Sequence, residues 1–95
     1  APLKKSEIVD IVRLQFNGVK KMLENNGIAI EVTDKAVQWL ADAGYDPQFG
    51  ARPVKRVIQR TLLNDLSKQI LAEEVSKDSR IMVDVKDDKI VFENK

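Results

Sequence analysis

The chain has no cysteine and no histidine among its 95 residues. Without cysteine there is no disulfide, no thiolate nucleophile and no cysteine-rich zinc site, a usage compatible with a reducing cytosol. Without histidine there is no Ser-His-Asp triad, no HExxH metal site and no ordinary neutral-pH proton shuttle. Catalysis by this chain alone would have to rest on carboxylates, lysine or arginine. An excess of one charge is also missing. Sixteen Lys+Arg stand against 15 Asp+Glu, a net charge of +1, which argues against a general nucleic-acid or membrane binder unless the charge is locally sorted. No apolar run approaches the roughly 20 residues that span a bilayer, and the first residues carry no signal-peptide pattern. No GxxxxGK[ST] loop occurs, and no GxGxxG follows a strand. The glycines are scattered at Gly18, Gly27, Gly44 and Gly50, so no phosphate cradle of the usual kind is expected.

What remains is an ordinary globular balance, 43% hydrophobic and 33% charged. The length suits one domain, which should bury roughly 60–70% of its unfolded surface. Residues 1–5 read as a lead-in. Ser6 is a candidate helix N-cap, followed by Glu7 and Asp10 where the helix dipole favours acid. Ile8, Val12, Phe16, Val19 and Leu23 recur at helical spacing, with Ile11, Leu14 and Met22 widening the apolar arc. Asn25-Asn26-Gly27 should end that helix. Ile28, Ile30 and Val32 alternate as a short strand. Thr33-Asp34 should cap a second helix that buries Ala36, Val37, Leu40 and Ala41 and ends at Gly44. Tyr45 to Gly50 reads as an ordered loop, its aromatics pinned to the body of the domain.

Pro53 suits the first position of a third helix marked by Val54, Val57, Ile58 and Leu62. The helical phase weakens at Asn64-Asp65. Leu66, Ile70 and Leu71 either continue the helix past a kink or start a fourth. Val75 to Ser79 is turn-like. Ile81, Val83 and Val85, then Ile90 and Phe92, flank a two-residue turn at Asp87-Asp88, so the C-terminus reads as a β-hairpin. The order predicts an α+β fold. Three to four helices pack with a three-stranded sheet, the early strand joining the hairpin.

Few residues stand out as chemistry. Asp84, Asp87 and Asp88 read as a solvated turn, since a metal site needs more converging oxygens, and Glu73-Glu74 reads as a polar helix end. Trp39 and Tyr45 read as core or loop anchors before ligand platforms. The basic run says more. Arg52, Lys55, Arg56 and Arg60 fall together, and no acid occurs between Asp46 and Asp65. Arg52, Arg56 and Arg60 are spaced to line one helix face, either as a solvated surface or as one that meets an anion or a partner. Arg52 precedes Pro53, at a helix start, where a cation is disfavoured and Ser, Thr, Asp or Asn would serve stability better. Gly50 and Ala51 beside it are small enough for another surface to approach. A guanidinium in that place suits phosphate oxygens supplied from outside the domain.

The segment Gly44-Tyr45-Asp46-Pro47-Gln48-Phe49-Gly50-Ala51-Arg52-Pro53-Val54-Lys55-Arg56-Val57-Ile58-Gln59-Arg60 resembles the GYDPxxGARPLKRxIQ signature of Clp-type AAA+ unfoldases. The likeness extends over the opening helix, the Ile28–Thr33 stretch and the closing hairpin. It is greatest to the C-terminal small domain of the second AAA+ module of ClpB-type disaggregase chaperones. Asp65 departs from the proline common in the family's N-P-L-A stretch, which bears on how sharply the third helix breaks. Val54 replaces a leucine.

The resemblance implies that residues 1–95 form one small AAA+ lid domain of a larger ATPase. Such a domain is not an enzyme alone. Arg52, in the motif with Gly50 and Ala51, would be the sensor-2 arginine facing ATP, held with Mg mainly by the large subdomain of the same chain. The domain itself would bind no nucleotide tightly and no metal. Lys55, Arg56 and Arg60 could face the adjacent subunit of a cytoplasmic homohexamer. A co-chaperone system and unfolded or aggregated proteins would be partners of the whole protein in a stress response; nucleic acid and membrane would not. The alternative, from the residues alone, is a stand-alone module whose basic helix, Arg52 to Arg60, binds nucleic acid or a protein partner.

Overall fold

The computed structural model describes residues 4–95; residues 1–3 of the expected lead-in at residues 1–5 lie outside them, and Lys5 already belongs to the first helix. Helix α1 runs Lys5–Asn25. The expected cap at Ser6 is corrected: Lys4 is the extended N-cap residue and Ser6 lies inside the helix. A lysine side chain cannot accept a hydrogen bond. The first turn is instead closed by Glu7, whose Oε1 accepts from the Lys4 N–H at 3.3 Å, the returning half of a capping box. Ile8, Val12, Phe16 and Leu23 are buried, and Val19 packs beside them. Leu14 and Met22 do not widen the buried arc; they are 70% and 43% exposed. The helix ends as expected. Gly27 takes a φ of 79°, and its N–H reaches the Glu24 carbonyl while the Ile28 N–H reaches that of Leu23, a Schellman closure.

Strand β1 is shorter than the alternation predicts, Ile30–Val32, because Ile28 is still spent on closing α1. Helix α2 runs Asp34–Ala43, with Thr33 as its N-cap accepting from the Ala36 N–H at 3.1 Å. Gly44 ends it with an ordinary φ of −93°. Glycine is needed there for close approach: a Cβ would lie 2.6 Å from Val54 Cγ2 and 2.8 Å from Val54 Cα. The end of α2 is thereby set directly against the start of α3, Val54–Gln59.

A π-helical turn, Arg60–Asp65, joins α3 to α4, Leu66–Leu71. Val54, Ile58, Leu62 and Leu66 are all buried and stand four apart. Four residues overshoot a 3.6-residue turn, so such a stripe drifts around a regular α-helix. The wider turn, in which the Leu66 N–H bonds the Thr61 carbonyl, takes up the drift and keeps the stripe on the core. Of the two readings of this region, continuation holds, with helical backbone at Gln59, Asp65 and Leu66. Leu71 lies beyond the core, 84% exposed.

Strands β2, Ile81–Lys86, and β3, Lys89–Asn94, form the expected hairpin. Asp87 and Asp88 both take positive φ, 52° and 62°, as a primed two-residue turn requires. Strand β1 joins parallel to β2, giving the order β1-β2-β3 and the expected α+β fold. The connection between β1 and β2 carries α2 to α4. Ile30 pairs with Ile81, and Val83 with Phe92; all four face the core. Val75, at the start of the segment expected to be turn-like, is buried as an anchor. The amide of Asn94 clamps that segment by donating to the Ser76 carbonyl at 2.7 Å and accepting from the Ser76 N–H at 2.8 Å.

Candidate anion site at the start of helix α3

Asp46 organises the loop between α2 and α3. Its Oδ1 accepts from the N–H groups of Gln48 at 2.7 Å and Phe49 at 3.0 Å, an Asx turn of the kind aspartate favours. Its backbone exchanges two hydrogen bonds with Gly50, at 2.8 and 2.6 Å. Gly50 closes this ring with a φ of 67°, a conformation glycine adopts at no steric cost. The chain leaves the ring through Ala51, which packs against the core. Pro53 is the N-cap residue of α3 and makes no side-chain cap bond. It therefore stands one place before its expected position, the first helical residue.

Arg52 sits at this junction, exposed. Its N–H bonds the Phe49 carbonyl at 3.3 Å, and its guanidinium carbon lies over the Phe49 ring, 5.8 Å from the centroid. The loop aromatics do not pin the loop as expected. Phe49 is 52% exposed. Tyr45, also exposed, borders a separate hollow of about 260 Å³ with Lys5, Ile8, Ala41 and Asp42. Hydrogen bonds to the Asp46 side chain and between the Asp46 and Gly50 backbones hold the loop.

Phe49, Arg52, Pro53 and Arg56 line a cleft of about 240 Å³. Arg56 also borders a wider hollow of about 430 Å³ with Gln59, Arg60, Leu63 and Asn64. The structure thus chains the three arginines through Arg56 and does not gather them in one cleft. Lys55 points elsewhere, into a groove against α1 with Gln15, Gly18, Val19 and Met22. Among the described residues none of these four cations forms an ion pair. Lys5, Arg13, Lys20 and Lys86 do, with Asp42, Asp34, Glu31 and Glu93. Three of those pairs tie α1 to α2 and β1.

The acids and Trp39 have structural duties. Trp39 Nε1–H donates to the Asp88 carbonyl at 3.0 Å and fixes the hairpin tip to α2. Asp84 accepts from the Thr33 hydroxyl at 2.9 Å and the Val85 N–H at 2.8 Å. These bonds, the Val85 one foremost, hold its carboxyl below the usual aspartate range. Sequence reasoning missed the stack of Phe49 on Arg52. Its one signal was an aromatic three residues before an arginine, across a glycine.

The structure is a small α+β domain in which two arginines, Arg52 and Arg56, border one cleft at a loop–helix junction. The family described as the C-terminal, D2-small domain of ClpB protein matches residues 3–83, and the chain belongs to that family. It is 56% identical over 93 residues to the chaperone protein ClpB of Bacteroides thetaiotaomicron, and 48% identical over 93 residues to that of Porphyromonas gingivalis. Each alignment covers 98% of this chain and 11% of the relative. A probable chaperone protein ClpB 1 of Chlorobaculum tepidum is 43% identical over 94 residues, 99% of this chain and 22% of its own length. The chain therefore spans a small part of the relatives it matches.

Proposed function

We propose that the chain is the nucleotide-sensing and ring-assembly small domain of an ATP-dependent disaggregase chaperone, with Arg52 as its sensor-2 arginine. The observation that carries this reading is the placement of Arg52. It is exposed at a helix start, without an acidic partner among the described residues, beside a second arginine in one cleft. A helix alone gains nothing from a cation there. The cleft suits the phosphate end of a nucleotide: two guanidinium groups border it and no carboxylate does. ATP, with Mg, would supply the terminal phosphate oxygens, held chiefly by the large AAA+ subdomain of the same longer chain. Residues 1–95 would be one domain of that ATPase and not a catalytic unit alone.

A contact that Arg52 makes only when the terminal phosphate is present differs between nucleotide states, which any bias of the angle between subdomains requires. A hydrogen bond to a charged group contributes roughly 1.5–3 kcal/mol, enough for about a tenfold shift. Lys55, Arg56 and Arg60 would face the next subunit of a homohexamer. Aggregated proteins and co-chaperones would engage the whole cytoplasmic assembly. Arg52→Ala in the full-length protein is expected to lower ATP turnover or nucleotide-stabilised assembly about tenfold. The 95-residue chain should stay folded with no fall in melting temperature, since the side chain is exposed. Unaltered turnover and assembly would remove Arg52 from the role.

A further inference from the structure

We infer that Phe49 is a positioning residue for Arg52: its ring lies against the guanidinium and holds the side chain ready to meet an anion. This rests on the nucleotide-sensing reading of Arg52 and names what prepares that arginine. A loop phenylalanine ordinarily gains by burial, yet this one is half exposed and stands outside the core. Its backbone is fixed on both sides. The Phe49 N–H is held by Asp46 Oδ1 at 3.0 Å, and its carbonyl by the Arg52 N–H at 3.3 Å. Asp46 and Gly50 close the ring of backbone around it. The backbone that carries the ring is thus set in place, and Arg52 Cζ lies over the ring, 5.8 Å from its centroid, within cation–π range.

The five N–H donors of arginine lie in the guanidinium plane. A phenyl ring carries no oxygen or nitrogen acceptor to occupy them. It restricts a long side chain that would otherwise sample many rotamers, and the ordering cost is met before the phosphate arrives. Proline after Arg52 restricts the backbone from the other side. Arg56 completes the cleft and has no such aromatic partner among the described residues, so the two arginines are not equivalent: one is pre-oriented and the other is free.

The test uses the full-length protein. Affinities for a non-hydrolysable ATP analogue and for ADP are titrated, and their ratio is the readout. Phe49→Leu keeps apolar bulk and removes the aromatic face. It should lower the ATP-over-ADP ratio roughly two- to fivefold, the worth of an exposed cation–π contact. Phe49→Trp, the stronger cation–π partner, should equal or exceed the native ratio, and Phe49→Tyr should keep it. In an Arg52→Ala background, Phe49→Leu should change nothing further. If leucine, phenylalanine and tryptophan give one ratio while Arg52→Ala lowers it, the positioning role is overturned and the sensor reading stands. An equal loss from Phe49→Leu in both backgrounds would overturn it too, as a sign of independent action. No effect of Arg52→Ala would end the sensor reading and this inference together. Should Phe49→Leu lower the melting temperature, the order of the tyrosine and tryptophan variants decides.

Discussion

At Glu73 the backbone takes a φ of 61° just past the end of α4. The Glu74 N–H bonds the Gln69 carbonyl and the Glu73 N–H that of Ile70, so this residue occupies the left-handed position of a Schellman closure. Its Cβ meets the steric cost that glycine avoids. Glu73 makes no ion pair among the described residues that would offset that cost. Relief of about 1–2 kcal/mol of steric cost, less about 0.5–1 kcal/mol of glycine's chain entropy, leaves Glu73→Gly stabilising by about 0.5–1 kcal/mol, read as a rise in melting temperature of roughly 2–8 °C for a domain of this size. A fall in melting temperature would show that the side chain does more there than its geometry reveals. Arg52 breaks a local preference too, but differently: it costs the helix start some stability and places a charge outside the core. That mismatch between residue and position is why the sequence alone singled it out. The ring facing Arg52 was not legible in the same way, because spacing does not tell whether a loop aromatic turns inward or outward.

Elements were legible where period and cap agreed. The buried stripe of α1, the Thr33 cap, the Gly27 closure and the Asp87-Asp88 turn each follow from residues within a few positions of one another. Misjudged features depended on distant neighbours. Leu14 and Met22 have helical spacing but stay exposed, Met22 at the groove between α1 and α3, and the π-turn arises from a four-residue repeat that must stay on one core. The tie between β2 and α2 is of this distant kind. The Thr33 hydroxyl donates to Asp84 and accepts from the Ala36 N–H, so the cap of α2 is itself held by the sheet. Because Asp84 is held below its ordinary value of 3.8 when folded, the unfolded chain takes up this proton first as pH falls. Its contribution is present above the ordinary value and is lost as pH drops through the folded one. Thermal melts between about pH 6 and pH 2 should show stability falling at the acid end. The fall should be shallower for Asp84→Asn, which keeps the acceptor oxygen but cannot titrate. An identical acid slope in both proteins would mean that other carboxylates carry the effect.

Across the whole molecule, a net charge of +1 conceals an uneven distribution. The ion pairs described are spent on binding α1 to α2 and β1 and on closing the hairpin, while the four cations between Arg52 and Arg60 have none. Two kinds of partner would complete such a surface. A nucleic acid would have to engage the four together and would release counterions in doing so, with a salt slope of about −3.6 if each met one phosphate. The clefts argue against that geometry: Arg52 and Arg56 share one, Arg56 and Arg60 another, and Lys55 lines a third against α1. A folded partner that meets each cleft separately fits better. It agrees with a chain that covers only a small part of its relatives' length; under the proposed function the partner would be a further domain holding a nucleotide. The expected outcome is that short DNA and RNA, titrated with the 95-residue chain at low salt, give no shifted complex at micromolar protein. A complex that weakens with salt along the predicted slope would instead favour a stand-alone nucleic-acid module and move Arg52 from nucleotide sensing to backbone binding.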